Sequence, residues 1–278
     1  MKKGLYIVAT PIGNLKDITY RAKETLSGVD IIICENIKRS LKLLSNLDIN
    51  KKLYSLHDHN EEKIIEKVKK YHINNSIALI SDAGSPLISD PGYNLVKFYI
   101  KNNLYVTSVP GPCSLINALQ VSSIASNQFQ YLGFAPKTKK AMDEFLNEIL
   151  TSSKTSVFFV SSHKILLCLK LINKNISSRE ICVCKELTKL NEKIFVGLSD
   201  DVIKKFTKDA NNTRGEFVVI IGPDVKKQDD SEILIESHKN NILKLLKKFS
   251  LTDVVEIVHK FTKISKKEIY RKALELKK

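Results

Sequence analysis

The chain has 278 residues, and 45 Lys+Arg against 30 Asp+Glu leave a formal net charge of +15. That length allows one large domain or two ordinary ones, of which two is the working number. With 43% hydrophobic and 27% charged residues, the composition excludes disordered and membrane-spanning classes, while the sign of the charge favours polyanionic partners.

Two lysines open the chain before an apolar run, but Pro11 and Gly13 cut that run too short for the apolar region of a signal peptide. A cytoplasmic protein with no membrane partner is expected. The cysteines Cys34, Cys113, Cys168, Cys182 and Cys184 contain no CxxC pair, and an odd number leaves at least one unpaired. Cys182 and Cys184 would share one face of a strand as small core residues. His57 and His59 flank one Asp with no third ligand at a useful spacing, so no metal site is expected.

In chain order, β-rich runs at Leu5 to Val8, Val29 to Cys34, Ser76 to Ser81 and Leu104 to Val109 alternate with helical patterns. One helical pattern, "EEKIIEKVKKYH", places Ile64, Ile65, Val68 and Tyr71 on one stripe; another, "NLVKFYIKN", follows Asp90 and Pro91, which read as a helix start. The alternation predicts an α/β domain over residues 1–111 with a largely parallel sheet. A second α/β domain over 112–224 contains "FQYLGF", "TSVFFV", "EICVC", "KIFVG" and "EFVVII", with helices over "KKAMDEFLNEIL" and "HKILLCLKLI". Its later strands have short spacers, which predicts antiparallel pairing within the sheet.

A polar linker is expected at 225–235, then a basic helical tail over 236–278 with helices from Glu236 to Lys248, after Ser250 and after Ser265, where Ser265 and Glu268 have capping-box spacing. The tail carries twelve Lys/Arg and five Asp/Glu, so nearly half of the charge excess is concentrated there. Its last two helices, joined by a tight turn at Thr262 to Ile264, are expected to fold on each other in preference to reading DNA.

Gly and Pro recur at the downstream ends of strands: "ATPIGN", "DAGSP", "PGPC" and "GFAP". In a parallel sheet those ends share one edge, where open α/β sheets bind ligands. No GxGxxG and no GxxxxGK[ST] occurs. The pocket is therefore expected to hold a ligand without phosphates, gripped by backbone groups and a carboxylate such as Asp82; a cationic, nucleoside-like cofactor fits. In "ISDAGSPLISDPGY", Gly84 would permit close backbone approach and Asp82 would accept hydrogen bonds. His163, at the head of a helix, is a candidate for anion binding or a cap.

The stretches "GLYIVATPIGNLKDIT", "ISDAGSPLISDPG", "VPGPCSLINAL", "GFAPK", "KELTKLNEK" and "RGEFVVII", in that order, resemble the tetrapyrrole methylase superfamily, and specifically its ribosomal RNA branch. The resemblance implies two α/β domains with S-adenosylmethionine in the cleft between them, a homodimer, and 2′-O-methylation of a cytidine ribose in the decoding region of 16S rRNA. It implies that Pro11, Ile12 and Gly13 border the cofactor, that Asp82, Ala83, Gly84 and Ser85 contact it, and that Pro110 and Gly111 line its adenosine side. Phe134, Ala135, Glu186, Leu187 and Thr188 would close the cleft. Glu186, Lys185 and Lys189 are the candidates for activating the hydroxyl, since a base or cation lowers the cost of its deprotonation.

Two departures stand out. The family motif "EDTR" is replaced by Glu35-Asn36-Ile37-Lys38-Arg39, and "ESPHR" by Val160-Ser161-Ser162-His163-Lys164. They keep two alternatives open: an inactive or divergent RNA-binding relative, and a methyltransferase of the superfamily with another acceptor.

Overall fold

The computed structural model describes residues 1–57, 59–223, 239–262 and 264–277. The first five strands are β1 (Gly4–Val8), β2 (Ile31–Cys34), β3 (Lys52–Ser55), β4 (Ser76–Ile80) and β5 (Val106–Val109), in the order β3-β2-β4-β1-β5. Every neighbouring pair is parallel. The helices α1 (Tyr20–Gly28), α2 (Ile37–Asn46), α3 (Glu61–Lys67) and α4 (Tyr93–Lys101) connect them. A parallel sheet covered on both faces needs apolar residues at consecutive positions. The run Ile31-Ile32-Ile33-Cys34 does this: Ile32 and Cys34 enter one buried cluster with Val8, Leu26 and Ile80, while Ile31 and Ile33 enter another with Leu5, Leu79 and Tyr99.

The second sheet has the order β6-β7-β10-β8-β9 and is built from β6 (Phe129–Phe134), β7 (Thr155–Ser161), β8 (Glu180–Lys185), β9 (Lys193–Leu198) and β10 (Glu216–Ile221). The predicted mixture is present: β6 and β7 are parallel, and β10 pairs antiparallel with β7 and β8, as does β9 with β8. Its helices are α5 (Ser114–Val121), α6 (Lys139–Thr151), α7 (Ile165–Ile176) and α8 (Ser199–Thr207). Cys182 and Cys184 do share a strand face, with sulfurs 3.6 Å apart in the cluster that also holds Leu119 and Ile220.

Met1–Ile149 and Thr155–Gly222 form one compact unit that contains both sheets, so the expected boundary at 111–112 falls inside it, between β5 and α5. The described residues outside it form a second unit. In it α9 (Lys239–Leu246), α10 (Leu251–Thr262) and α11 (Lys266–Lys277) surround Ile242, Val254, Val258, Ile269 and Ala273. The last two helices thus pack on each other as expected, and α11 starts directly after Ser265. The expected linker at 225–235, the start of the first tail helix at 236–238 and the side chain of Glu268 lie outside the described residues.

The strand β3 is one that the sequence reading does not list: its pattern, Lys-Leu-Tyr-Ser, has no apolar run, as suits an edge strand. Two expectations are corrected. The stripe of the third helix does not include Tyr71, which is 62% exposed. After Lys67 the helix widens to a π-helical turn over Val68–His72, and the extra residue rotates Tyr71 off the buried face. Asp90 does not start a helix: α4 begins at Tyr93, with Gly92 as its cap at φ 124° and no side-chain capping bond.

Candidate active site

In an open parallel sheet a crevice forms where strand order reverses, outside the carboxyl ends. Here the reversal lies between β1 and β4, and the loops after those strands meet there. Thr10 and Gly84 exchange two backbone hydrogen bonds, of 2.9 and 3.0 Å. Gly84 has φ 81°, and a Cβ on it would stand 3.1 Å from Cγ2 of Ile12. Its N–H and carbonyl are thus both committed to Thr10, and the close approach that requires glycine is to the β1 loop.

A cavity of about 510 Å³ opens at this point. The β1 loop contributes Ile12; the β4 loop contributes Asp82, Ala83, Gly84, Ser85, Ile88, Ser89 and Asp90. Cys113 and Ser114 come from the start of α5, and Phe134 from the end of β6. All four Gly/Pro loops therefore reach it. The second sheet and its loops add Phe159 to Ser162, His163, Cys184, Leu187 and Gly215 to Val218, the loop after β2 adds Glu35, and the first turn of α2 adds Arg39.

One wall is acidic. Asp82 accepts from the backbone N–H of Asn36 at 3.1 Å through Oδ1, and from Arg39 at 2.9 Å through Oδ2. Asn36 itself caps α2, accepting from the N–H groups of Lys38 and Arg39. Burial pushes the Asp90 carboxyl up to about 6; a hydrogen bond from Ser81 pulls it down, and Glu35 and Asp82 add repulsion that raises it further. Leu87 and Ser89, at φ 75° and 68°, hold this loop in a left-handed conformation. Ser89 is also hydrogen-bonded to the hydroxyl of Tyr131 on β6.

The opposite contribution is apolar and aromatic. A bulge between Tyr131 and Phe134 shifts the register of β6, with Gly133 at φ 70°. Phe134 emerges 61% exposed, its ring 5.2 Å from that of Phe159. Ala135 is buried behind it, and its N–H donates to the carbonyl of Phe159 at 2.8 Å.

Of the residues singled out in the sequence, Ile12, Asp82, Ala83, Gly84, Ser85, Phe134 and Leu187 line the cavity. Pro11, Gly13, Pro110, Gly111, Ala135 and Thr188 do not. A Cβ on Gly111 would stand 3.0 Å from that of Ala9, and one on Gly13 would stand 2.4 Å from Cγ of Lys189 and 2.9 Å from Oγ1 of Thr188. These glycines let the loops close on protein atoms.

Lys185, Glu186 and Lys189 also lie outside the lining. Cys184 faces the cavity, so strand alternation turns the buried Lys185 to the other face. Glu186 Oε1 accepts from Lys189 Nζ and from the N–H of Glu216, each at 2.9 Å, and Lys189 also donates to Glu216 Oε2 at 2.8 Å. Burial opposes the charge on Glu186, but its bonds to Lys189 and Glu216 outweigh this and hold its pKa below the usual range. The group therefore clamps the end of β8 to the start of β10, meeting the cavity through Glu216.

The sequence does not mark Asp90, Glu35, Arg39 or the segment Ser161 to His163 as lining residues. Asp90 resembles a helix cap, and the others lie in the two stretches that depart from the family motifs. Arg39, one place late in its motif, still reaches Asp82.

Two observations fit a cationic nucleoside-like cofactor such as S-adenosylmethionine. The volume is of ligand size, and the wall of Glu35, Asp82 and Asp90 favours positive charge. Among the described residues no group of His, Cys, Asp and Glu could hold a metal ion, and no helix is long and apolar enough to cross a membrane.

The sequence matches the family model described as Tetrapyrrole (Corrin/Porphyrin) Methylases over residues 4–203. It is 40% identical over 276 residues to the ribosomal RNA small subunit methyltransferase I of Rickettsia prowazekii (strain Madrid E), which covers 97% of this chain and 96% of that protein. The protein of the same name from Escherichia coli O157:H7 is 36% identical over 273 residues, or 98% of this chain and 94% of the relative. The uroporphyrin III C-methyltransferase of Thermus thermophilus superposes with a TM-score of 0.54 at 15% identity, over 78% of this chain and 96% of that one. The methyltransferase CobJ gives 0.57 at 11%, over 80% and 95%. The solved structures establish the likeness of fold. With the family model running from β1 into α8 and relatives matched over nearly their whole length, the chain belongs to the tetrapyrrole methylase family, in its ribosomal RNA small subunit methyltransferase I branch.

Proposed function

We propose that this chain methylates the RNA of the small ribosomal subunit, with S-adenosylmethionine as donor, at the 2′-hydroxyl of a cytidine ribose in the decoding region. One observation carries the reading: a single cleft combines the carboxylates of Glu35, Asp82 and Asp90 with the open ring of Phe134. Carboxylates suit a cation, and an exposed ring suits an unstacked base of folded RNA.

When bound, S-adenosylmethionine supplies an electrophilic methyl group on a cationic sulfur. The protein's part is to hold, orient and remove a proton. Asp82, fixed by Asn36 and Arg39, sets the acidic wall. Asp90 is the proton acceptor in this reading: its carboxylate faces the cavity, and a pKa raised to about 6 makes it a stronger base than an ordinary aspartate while leaving it ionised at neutral pH. Glu186 and Lys189 act by positioning the β8 and β10 loops.

The homodimer is supported by the open edge of the second sheet, where β9 exposes Ile194 and Leu198 and the preceding turn leaves Leu190 99% exposed. A cytoplasmic location follows from the ribosomal substrate. The basic tail contributes affinity for RNA phosphates. The test offers the full chain labelled donor with small-subunit RNA, with a tetrapyrrole acceptor and with a protein extract lacking ribosomes. Label confined to the RNA supports the assignment; label in either of the others, with none in the RNA, overturns it.

A further inference from the structure

A basic surface lies on the edge of the first sheet. The ring of Tyr54 on β3 is flanked by Lys67 Nζ at 4.1 Å and Lys52 Nζ at 5.5 Å from its centroid. Its hydroxyl is 3.1 Å from Nε2 of His72, whose ring lies 6.3 Å from that of Tyr71. Lys70 Nζ stands 4.9 Å over the Tyr71 ring. These side chains form one connected series that contains three ammonium groups, two phenols and an imidazole, with no carboxylate in it. Among the described residues, Lys52, Lys67 and Lys70 make no ion pair, whereas Lys189, Lys193, Lys204 and Lys266 elsewhere each do.

The surface is built by the fold. The π-helical turn over Val68–His72 presents Tyr71 and Lys70 outward, and the edge position of β3 leaves its outer side without a neighbouring strand. It is also joined to the cleft. Ser55 Oγ, at the end of β3, donates to the carbonyl of Glu35 at 3.0 Å, and Glu35 lines the cavity. Lys52 stands three residues back, roughly 10 Å away at about 3.3 Å per residue.

We propose that Lys52, Lys67 and Lys70, with Tyr54 and Tyr71, hold the phosphate backbone of RNA flanking the nucleotide in the cleft. The proposal rests on the RNA-modifying reading and specifies where the strand leaves the site. Charge complementarity selects the occupant: unpaired ammonium groups take phosphates, and an exposed phenol offers a stacking face for a base. A surface that served only to keep an edge strand from pairing would also carry lysines, and the test separates the two.

The test compares full-length protein with K52A/K67A/K70A, with K52R/K67R/K70R, and with K204A/K205A/K208A as a control of equal charge change. Binding to small-subunit RNA is measured against salt concentration, alongside the kinetics of methylation. On single-stranded RNA each phosphate that is no longer neutralised lowers the slope of log K against log salt by about 0.7, so the alanine variant should lose about 2 in slope and roughly 10- to 100-fold in affinity at about 0.1 M salt. Its KM for RNA should rise with kcat at saturation unchanged, the arginine variant should keep the slope, and the control should change little. A slope that falls no more than in the control overturns the proposal. If the wild-type chain binds and modifies no small-subunit RNA, the RNA reading fails and takes this surface with it.

Discussion

Arg39 in the first turn of α2 and Asp82 in the loop after β4 meet at 2.9 Å, and the same carboxylate accepts from the backbone N–H of Asn36. Arg39 is largely exposed while Asp82 is mostly covered, so the two halves of the pair are unequal. Truncating the arginine leaves Asp82 able to turn to water, whereas truncating Asp82 frees both the Asn36 N–H and the guanidinium. Asp82→Ala should therefore destabilise the fold by about 1–3 kcal/mol and weaken binding of S-adenosylmethionine more than Arg39→Ala does. Thermal denaturation and calorimetric titration of the two variants check this order.

In the proposed mechanism Asp90, as proton acceptor, gives the reaction its pH dependence. A base with a pKa near 6 should produce a rate that rises with pH through that value and levels off above it. Asp90→Asn should lower the single-turnover rate by about 10²–10⁴-fold, abolish the rising limb and leave cofactor binding within a few-fold. Its stability should move the other way. Because the folded state raises the pKa from 3.8, it holds the proton more tightly than the unfolded chain, and wild-type stability falls as pH rises from about 4 to about 6. The asparagine variant lacks that fall and should be at least as stable at neutral pH. Glu35, Asp82 and Tyr131 interact electrostatically with Asp90, and Arg39, Cys113, His163 and Glu216 line the same cavity.

Glu186 and Lys189 make the contrasting prediction. As a clamp between β8 and β10, Glu186→Gln should cost about 1–3 kcal/mol and leave the chemical step within several-fold of wild type at a permissive temperature. The depressed pKa means that this stabilisation is complete above the ordinary value near 4.5 and is lost as pH falls through the lower, folded value. A rate lowered by orders of magnitude with stability retained would return Glu186 to the chemistry.

Deleting the tail from Glu236 onward removes a net charge of +7 and a unit with its own buried cluster. RNA binding by the truncated chain should weaken and its salt dependence flatten, while S-adenosylmethionine binds as before. Filter binding over a salt series measures the first and calorimetry the second.

Legibility follows the strength of local signals. The apolar runs of β1, β2 and β4 are plain because both faces of the parallel sheet are buried, and three of the Gly/Pro loops converge on one cavity because the parallel strands β1, β4 and β5 end together, while the fourth reaches it from β6 of the second sheet. β3 escapes notice because an edge strand needs apolar residues on little of its surface. The π-helical turn does so because a single extra residue per turn leaves no mark in the pattern of Ile64, Ile65 and Val68. Asp90 reads as a cap beside Pro91, and only the tertiary fold shows it beside Glu35 and Asp82. Glu186 and Lys189 stand out as charges at a strand end, but their partner Glu216 is 30 residues from Glu186 in sequence, beyond any local reading.

The decisive experiment transfers labelled methyl groups from S-adenosylmethionine to small subunits that lack the modification and maps the labelled nucleotide. Label is expected on the ribose 2′-oxygen of one decoding-region cytidine, appearing about 10²–10⁴-fold more slowly with Asp90→Asn. Label on a base, or no label from protein that binds S-adenosylmethionine in the presence of intact subunits, would contradict the proposed activity.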